Sequence, residues 1–316
     1  MKLRDVGEFA LIDRIERAVR RAGIGRSGVV LGIGDDAALL RLRAGEDLAV
    51  STDAVVEDVH FRFANESARS IGRRALAAAL SDLAAMGARP LGVVAALAAP
   101  PSLSLARAEG ITRGLVEGAR RWNTPLIGGN LARAKQTMLT LTVLGAVRRG
   151  RALTRSGARP GDRIFVTGTF GGTALAVARA ARGARLRAAP EPRLAAGLAL
   201  ARTRGAGACI DVSDGLVADL GHLLRASRVG ARIDPARVPR PPGFAAACAR
   251  LGVDPERLAL AGGEDYELLF TLRPEGPGAA ALQRKLGVPV AEIGVVTRGR
   301  GLRPPTSRSL PGFRHF

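Results

Sequence analysis

The spacing of apolar residues first takes on a regular period near residue 28. Within residues 28 to 51, GVVLGI, AALLRL and DLAVS read as three short strands, parted by a Gly34-Asp35-Asp36 turn and by polar residues around Gly45. The period then lengthens. From Glu66 to Met86, apolar residues recur at Ile71, Ala75, Ala79, Leu83 and Met86, which predicts a helix, and Gly87 with Pro90 supplies its stop. A strand over 91–98, a helix over 104–121, a short strand near Leu126 and a strand over 137–147 complete the first half. The stretch Arg148 to Asp162, RRGRALTRSGARPGD, is polar and rich in Gly and Arg, and marks a domain boundary. The expected domains are therefore residues 1–149 and 150–316.

The second half opens with a strand over 163–167, a glycine-rich GTFGGT turn, and helices on either side of Pro190. A strand over 207–211 runs into a helix over 214–227. Strands over 266–272 and 290–296 flank a helix near 279–286, and the proline-rich patch Pro235 to Gly243 reads as a surface loop. Strands and helices mix in both halves without strict alternation. That pattern predicts a mixed α/β (α+β) chain of sheet-plus-helix layers, not a barrel or a doubly wound fold. No internal repeat is visible.

Bulk properties narrow the class. A length of 316 residues suits two domains, and 47% hydrophobic with 24% charged residues suits a folded chain. The most apolar stretch, Leu91 to Ala99, ends at Pro100 and Pro101 and is too short to span a bilayer. Acidic residues interrupt MKLRDVGEFALIDRI, where an export signal needs an apolar run. Cys209 and Cys248 form neither a C-x-x-C pair nor a zinc-ligand spacing. Together these point to a reducing, cytoplasmic setting. A formal charge of +20 invites a nucleic-acid reading. However, apart from Lys2, Lys135 and Lys285 the basic residues are all arginines, spread over the whole chain without clustering. We read them as solvated faces and expect neither a nucleic-acid nor a membrane partner.

Candidate chemistry centres on aspartates at strand ends, turns and helix starts, where side chains can converge on one cleft. Asp36 closes the turn in GIGDDAALL, and Asp53 ends the strand in AVSTDAVVEDVHF. Asp82 sits in LSDLAAMGARP, and Asp211 and Asp214 in CIDVSDGLVADLGH. Each has an ordinary structural alternative. Asp36 and Asp53 could bond their own local backbone, and Ser213 or Asp214 could cap the following helix. Asp82 resists that reading, because its helical neighbours Ala78, Ala79, Ala85 and Met86 are small or apolar and a buried carboxylate needs a partner. As a set, oxygen ligands without a His/Cys cluster suit magnesium and metal-bridged phosphoryl transfer. His60, His222 and His315 form no nucleophilic triad, and His222 reads as structural.

The glycine-rich loops offer no simpler answer. GTFGGT follows a strand and opens a helix, as a phosphate cradle would, but it lacks the GK[ST] ending and any nearby lysine, so it is not a P-loop. GIGDDA matches a dinucleotide pattern formally, yet two carboxylates would then face a pyrophosphate and a strand follows where a helix is needed.

At this point the motifs carry a resemblance. GEFALIDRI, GIGDDAALL, STDAVVEDVHF, LSDLAAMGARPLG, LTRSGARPGD, VTGT, DVSDGL and GGEDYELLF run nearly end to end in the order seen in thiamine-monophosphate kinases. These are similar in fold to aminoimidazole-ribonucleotide synthetases. The resemblance implies two α/β domains, dimerisation through the N-terminal one, ATP as co-substrate, thiamine monophosphate as acceptor, and several magnesium ions. It implies metal roles for Asp36, Ser51, Thr52, Asp53, Asp82, Asp211 and Asp214. It implies ATP contacts for Gly129, Asn130, Arg155 and Ser213, and substrate contacts for His60 and Glu264. In this chain Asn130 stands where the family often has Asp, so an uncharged amide oxygen replaces a carboxylate at one metal position. Leu310 aligns with an aromatic that covers substrate in some relatives.

Other readings give distinct expectations. A selenophosphate synthetase would carry an N-terminal cysteine, whereas none precedes Cys209. A purine-synthesis ligase of the same superfamily, an arginine-rich nucleic-acid binder and a nicotinamide-dependent enzyme using GIGDDA complete the alternatives.

Overall fold

The computed structural model describes residues 2–5, 8–23, 28–31, 33, 37–186 and 190–303. The chain divides into two compact units. One comprises Met1–Leu83 and Arg89–Arg149; the other takes Ala84–Ala88 and the chain from Gly150 onward.

The first unit begins with α1 (Glu8–Ala22), an addition to the expected elements. Leu11 and Val19 fall on its buried side, two turns apart. The short strands β1 (Val29–Leu31) and β2 (Leu39–Leu40) follow, then β3 (Glu46–Val56), α2 (Ala68–Ala85), β4 (Arg89–Ala99), α3 (Leu105–Arg121), β5 (Leu126–Arg133) and β6 (Met138–Arg148). A four-stranded sheet has the order β3-β6-β4-β5, with β4 and β5 parallel and the other neighbours antiparallel. β3 extends beyond the expected DLAVS because every residue from Glu46 to Val56 pairs with β6, from Arg148 back to Met138. Asp53 is therefore an interior strand residue and does not end the strand. The weak strand preference of Asp is overridden by its place in a fully paired ladder.

Ser67 starts α2: its Oγ accepts the Ser70 N–H at 3.1 Å, the bond expected of an N-cap. The helix is rich in small residues, and Ile71, Leu76, Ala79, Leu80 and Leu83 are all but inaccessible. A side chain at Gly72 would overlap the Ile111 carbonyl on α3, so the two helices approach more closely than side-chained residues would permit.

The second unit runs β7 (Arg163–Thr167), α4 (Gly172–Ala180), α5 (Leu194–Leu200), β8 (Ala206–Asp211), α6 (Leu216–Ser227), β9 (Gly230–Ile233), α7 (Phe244–Leu251), α8 (Pro255–Ala261), β10 (Leu268–Leu272), α9 (Ala279–Leu286), β11 (Val290–Thr297) and β12 (Gly301–Arg303). Its six strands lie in the order β12-β9-β11-β7-β10-β8. The inner strands β7 and β10 are almost wholly buried, which explains their unbroken apolar runs IFV and LLF. A large core forms around Ile164, Val166, Phe170, Leu220, Leu223 and Leu269. The Pro235 to Gly243 patch is only partly a surface loop. Residues Pro235–Arg237 form a turn of 3-10 helix, and Val238 is buried. Its proline content gave the impression of a loop, but an apolar residue among the prolines anchors it.

Candidate active site

In the first unit, alternation along β3 sorts the sequence-selected residues by face. Ser51 and Asp53 share the half-buried side, whereas Leu48, Val50, Thr52 and Ala54 are exposed on the other. The Ser51 hydroxyl donates a short hydrogen bond to the Asp82 carboxylate on α2. Burial, then the nearby charge of Asp82, pushes the Asp53 carboxyl up to about 6. Three oxygen donors from a strand and a helix thus meet, and two of them are carboxylates close enough to repel. Thr52 takes no part through its side chain, since its Oγ1 lies 3.2 Å from Thr142 Oγ1 on the opposite face. Any metal role at that position falls to the main chain.

Beyond β3 the chain turns at Asp58, which has a positive φ of 66°. His60 closes this turn. Its Nδ1 accepts the Val56 N–H at 3.1 Å, which assigns the ring proton to Nε2. The His60 carbonyl accepts from Arg74 Nη2 at 2.8 Å. Arg74 is in turn paired with Glu66 at 2.9 Å, with side chains 4% and 1% exposed. A buried ion pair therefore fixes the residue that the sequence marks for substrate contact.

Gly129 and Asn130 lie on β5 at the rim of a cavity of about 750 Å³ in the same unit. Its walls are mostly apolar and include Ile33, Ala37, Ala38, Leu97 and Leu115. Ile33 and Ala37 belong to the GIGDDA segment. Asp36 itself lies outside the described residues, as does Leu310. Gly129 is required where it stands, because a side chain there would overlap the Ala95 carbonyl of the parallel strand β4.

The second unit assembles the other group. Asp211 ends β8 and is buried. The chain then turns through Ser213, Asp214 and Gly215 into α6. Gly215 is the N-cap and offers no side-chain bond, so neither Ser213 nor Asp214 caps this helix. Asp219, a residue the sequence reading did not select, instead holds the turn that leads into the helix. Its Oδ2 accepts the N–H groups of Ser213, Asp214 and Gly215 at 3.1, 3.0 and 3.2 Å. Burial raises the Asp219 carboxyl to about 6, against the lowering effect of those bonds. Among the described residues, Asp214, Asp219 and His222 bring carboxylate oxygens and an imidazole nitrogen within 4.8 Å of one another. Burial lowers the His222 pKa, and the charges of Arg225 and Arg155 add to the effect. Arg155 is thus near the cluster. Its strap is stitched to the sheet by the Cys209 N–H to the Thr154 carbonyl at 2.8 Å, and Ser227 Oγ bonds the Arg155 carbonyl at 3.0 Å.

Glu264 stands beside this turn in a strained segment. Glu264 and Tyr266 have positive φ values of 61° and 51°, which side-chained residues rarely adopt. Their N–H groups donate to the Ser213 and Val212 carbonyls at 2.7 and 2.8 Å, and these bonds hold the strain in place. Asp265, between them, accepts the Gly171 N–H at 3.0 Å through Oδ2. The anion position at the start of α4, where GTFGGT suggested a phosphate cradle, is therefore filled by the protein's own carboxylate.

Residues 34–147 match the family of AIR synthase related proteins, N-terminal domain, and residues 159–305 match the corresponding C-terminal domain. A thiamine-monophosphate kinase of Escherichia coli (strain K12) is 41% identical over 98% of each chain. The chain belongs to the thiamine-monophosphate kinase family. Solved thiamine-monophosphate kinases have the same fold. That of Stenotrophomonas maltophilia K279a superposes with a TM-score of 0.82 at 39% identity, covering 94% of this chain and 96% of its own. AaThiL, solved complexed with AMPPCP and TMP, gives 0.78 at 27% identity over 100% and 99%. The family fold expected from the motif order is thereby established, as a mixed α/β chain with both synthetase-related domains. No described helix is long and apolar enough to cross a membrane.

Proposed function

We infer that this chain transfers the γ-phosphoryl group of ATP to the phosphate of thiamine monophosphate, yielding ADP and thiamine diphosphate. The observation that carries this reading is the meeting of Ser51, Asp53 and Asp82 in one unit of a chain 41% identical to a thiamine-monophosphate kinase. AaThiL, complexed with AMPPCP and TMP, supports the same pair of ligands here.

The chemistry asks little of a general base. The acceptor is a phosphate oxygen, ionised near neutral pH because the second pKa of a phosphomonoester is about 6. The obstacle is repulsion between two anions. Carboxylates that crowd each other, with a serine hydroxyl beside them and no thiol, fit hard divalent cations, and magnesium is the expected one. When bound, magnesium neutralises phosphate charge and aligns the reacting oxygens. Asp53, Asp82 and Ser51 would hold it in the first unit, with Asp36 added from the GIGDDA turn, and Asp211 and Asp214 in the second. Asn130 would give an amide oxygen. The apolar cavity beside Gly129 and Asn130 suits part of the nucleotide, such as its flat base. Ser213 and Arg155 would meet the phosphates, the arginine as a fixed cation. Glu264 and His60 would orient the thiamine phosphate, Glu264 by attraction to the cationic thiamine moiety.

A second copy of the chain is expected on the exposed face of the first unit's sheet, giving a homodimer. Leu48 and Val50 there are 47% and 57% exposed, and Met138 on the neighbouring strand 37%. Met138 pairs with Val56 at the far end of the ladder, and exposed apolar side chains at both ends of a paired sheet are what a partner would cover. A cytoplasmic location accords with the free, buried thiols of Cys209 and Cys248.

The deciding experiment follows ATP consumption and thiamine diphosphate formation by the purified protein, with thiamine monophosphate and magnesium supplied or withheld in turn. Turnover only with both present is expected. Absence of thiamine diphosphate under those conditions would overturn the assignment.

A further inference from the structure

A helix start normally borrows a side-chain oxygen from its N-cap, and α6 has only the bare backbone of Gly215 to offer. The turn that leads into it is instead held by an oxygen from within the helix. Asp219, 3% exposed, turns back so that Oδ2 gathers three successive N–H groups, those of Ser213, Asp214 and Gly215. The Asp219 N–H itself donates to the Gly215 carbonyl at 3.0 Å, so the acid is anchored by the turn it organises.

Ser213 is held on its other side as well. Its carbonyl accepts the Glu264 N–H at 2.7 Å. The main chain of this residue is consequently fixed at both N–H and C=O, between one buried carboxylate and one strained segment. Gly215 completes the arrangement with φ at 119°, a conformation reserved for glycine, and a side chain there would press on Ala261 at 2.9 Å. This geometry leaves the side chains of Ser213 and Asp214 out of helix capping, the commonest employment for such residues at such a place.

We propose that Asp219 is a positioning residue for phosphoryl transfer, holding the Ser213–Gly215 main chain so that Asp214 is presented to the metal and Ser213 to the nucleotide. The proposal rests on the function inferred above, in which those two side chains make those contacts. Asp219 acts as an acceptor of three hydrogen bonds. Its role is therefore one that a neutral acceptor of the same shape can largely fulfil, whereas a carboxylate bound directly to the metal would lose its charge attraction on becoming an amide.

Asp219→Ala and Asp219→Asn separate these cases, each compared with the unaltered protein by calorimetric titration with a non-hydrolysable ATP analogue over a range of magnesium concentrations. In the Ala variant we expect the analogue to bind about 30-fold more weakly, with half-saturation displaced to higher magnesium. In the Asn variant, which keeps a carbonyl oxygen, the loss should be about two- to fivefold. In steady state the Ala variant should show a raised KM for ATP beyond any fall in kcat. A folded Ala variant with unchanged affinity and magnesium dependence would reduce Asp219 to a structural support of the turn. Equal damage in both variants would make its charge the active feature and overturn the positioning role. Should the Ala variant fail to fold, the Asn variant decides alone: a loss of about two- to fivefold supports the proposal, and either no loss or a loss clearly above about fivefold refutes it. Failure of the function inferred above would show differently. The unaltered protein would then bind the analogue but form no thiamine diphosphate, and the titrations would still report on Asp219.

Discussion

The main-chain N–H of Glu264 donates to the carbonyl of Ser213 at 2.7 Å, joining the proposed substrate acid to the turn that carries Asp214. Because the bond runs through backbone, a change at the Glu264 side chain leaves it intact. Glu264→Gln should fold normally and keep its KM for ATP within about twofold. Its KM for thiamine monophosphate should rise about tenfold, since one charge opposite a cation at a partly solvated site contributes on the order of 1 kcal/mol. Steady-state kinetics with each substrate varied in turn would check this, and parallel loss for both substrates would count against it.

Asp53 and Asp82 give a pH prediction. In the metal-free protein the Asp53 carboxyl sits at about 6, above its ordinary 3.8. The folded form then binds a proton more tightly than the unfolded form between those values. Stability without magnesium should therefore fall as pH rises from about 4 to 6, and the loss should be complete above that window. Magnesium competes with the same proton. Its half-saturation concentration should rise as pH drops below about 6, by up to about tenfold per unit for one proton displaced. Asp82→Asn should return Asp53 towards its ordinary range and weaken both trends. Melting temperatures with and without magnesium at pH 5, 6 and 7.5 would measure them.

At Asn130 the chain has an amide on β5 where the motif resemblance implies a carboxylate. Asn130→Asp should lower the magnesium concentration for half-maximal activity by about three- to tenfold, as expected for one added charge near a partly exposed cation. An unchanged magnesium curve would remove Asn130 from the metal site.

The buried pair Arg74–Glu66 offers a test of stability. Arg74→Met leaves the Glu66 carboxylate enclosed without its cation, which should cost about 3–5 kcal/mol. The double variant Arg74→Met/Glu66→Leu should recover much of that loss. Denaturant titration of both would show it. Because Arg74 also holds the His60 carbonyl, the double variant should remain impaired in its KM for thiamine monophosphate.

A fifth prediction concerns assembly. Val50→Asp, on the exposed face of β3, should shift the protein from dimer to monomer at micromolar concentration in sedimentation velocity.

The sequence conveyed the long elements well, because their periods are strong: α2, α3, β4 and β7 lie within two residues of where the pattern puts them. Shorter elements left weaker traces. α8 has an Asp254 cap and Pro255 at its first position, a start signal readable in hindsight, yet seven residues give too little periodicity to claim a helix. The acids were legible as a set of oxygen ligands, although Asp53 and Asp82 lie inside β3 and α2 and not at the element junctions the sequence suggested. What they could not reveal was orientation. Ser51 and Thr52 are neighbours in sequence, but the pleat of β3 sends one towards Asp82 and the other towards Thr142. Asp219 escaped notice for a related reason, since an acid in the first turn of a helix is usually read as complementing the helix dipole, and only coordinates show three amides converging on it.

The eleven-residue ladder between β3 and β6 has a temporal consequence. Glu46 must find Arg148, and the chain between them contains two helices and two further strands. Contacts so distant along the chain form late and slowly, because the closure entropy of the whole intervening segment has to be met first. During synthesis, β3 therefore waits as an unpaired ribbon until the ribosome has released β6. Refolding of the first unit should be limited by that encounter, while the helices α2 and α3, close in sequence and in space, assemble ahead of it.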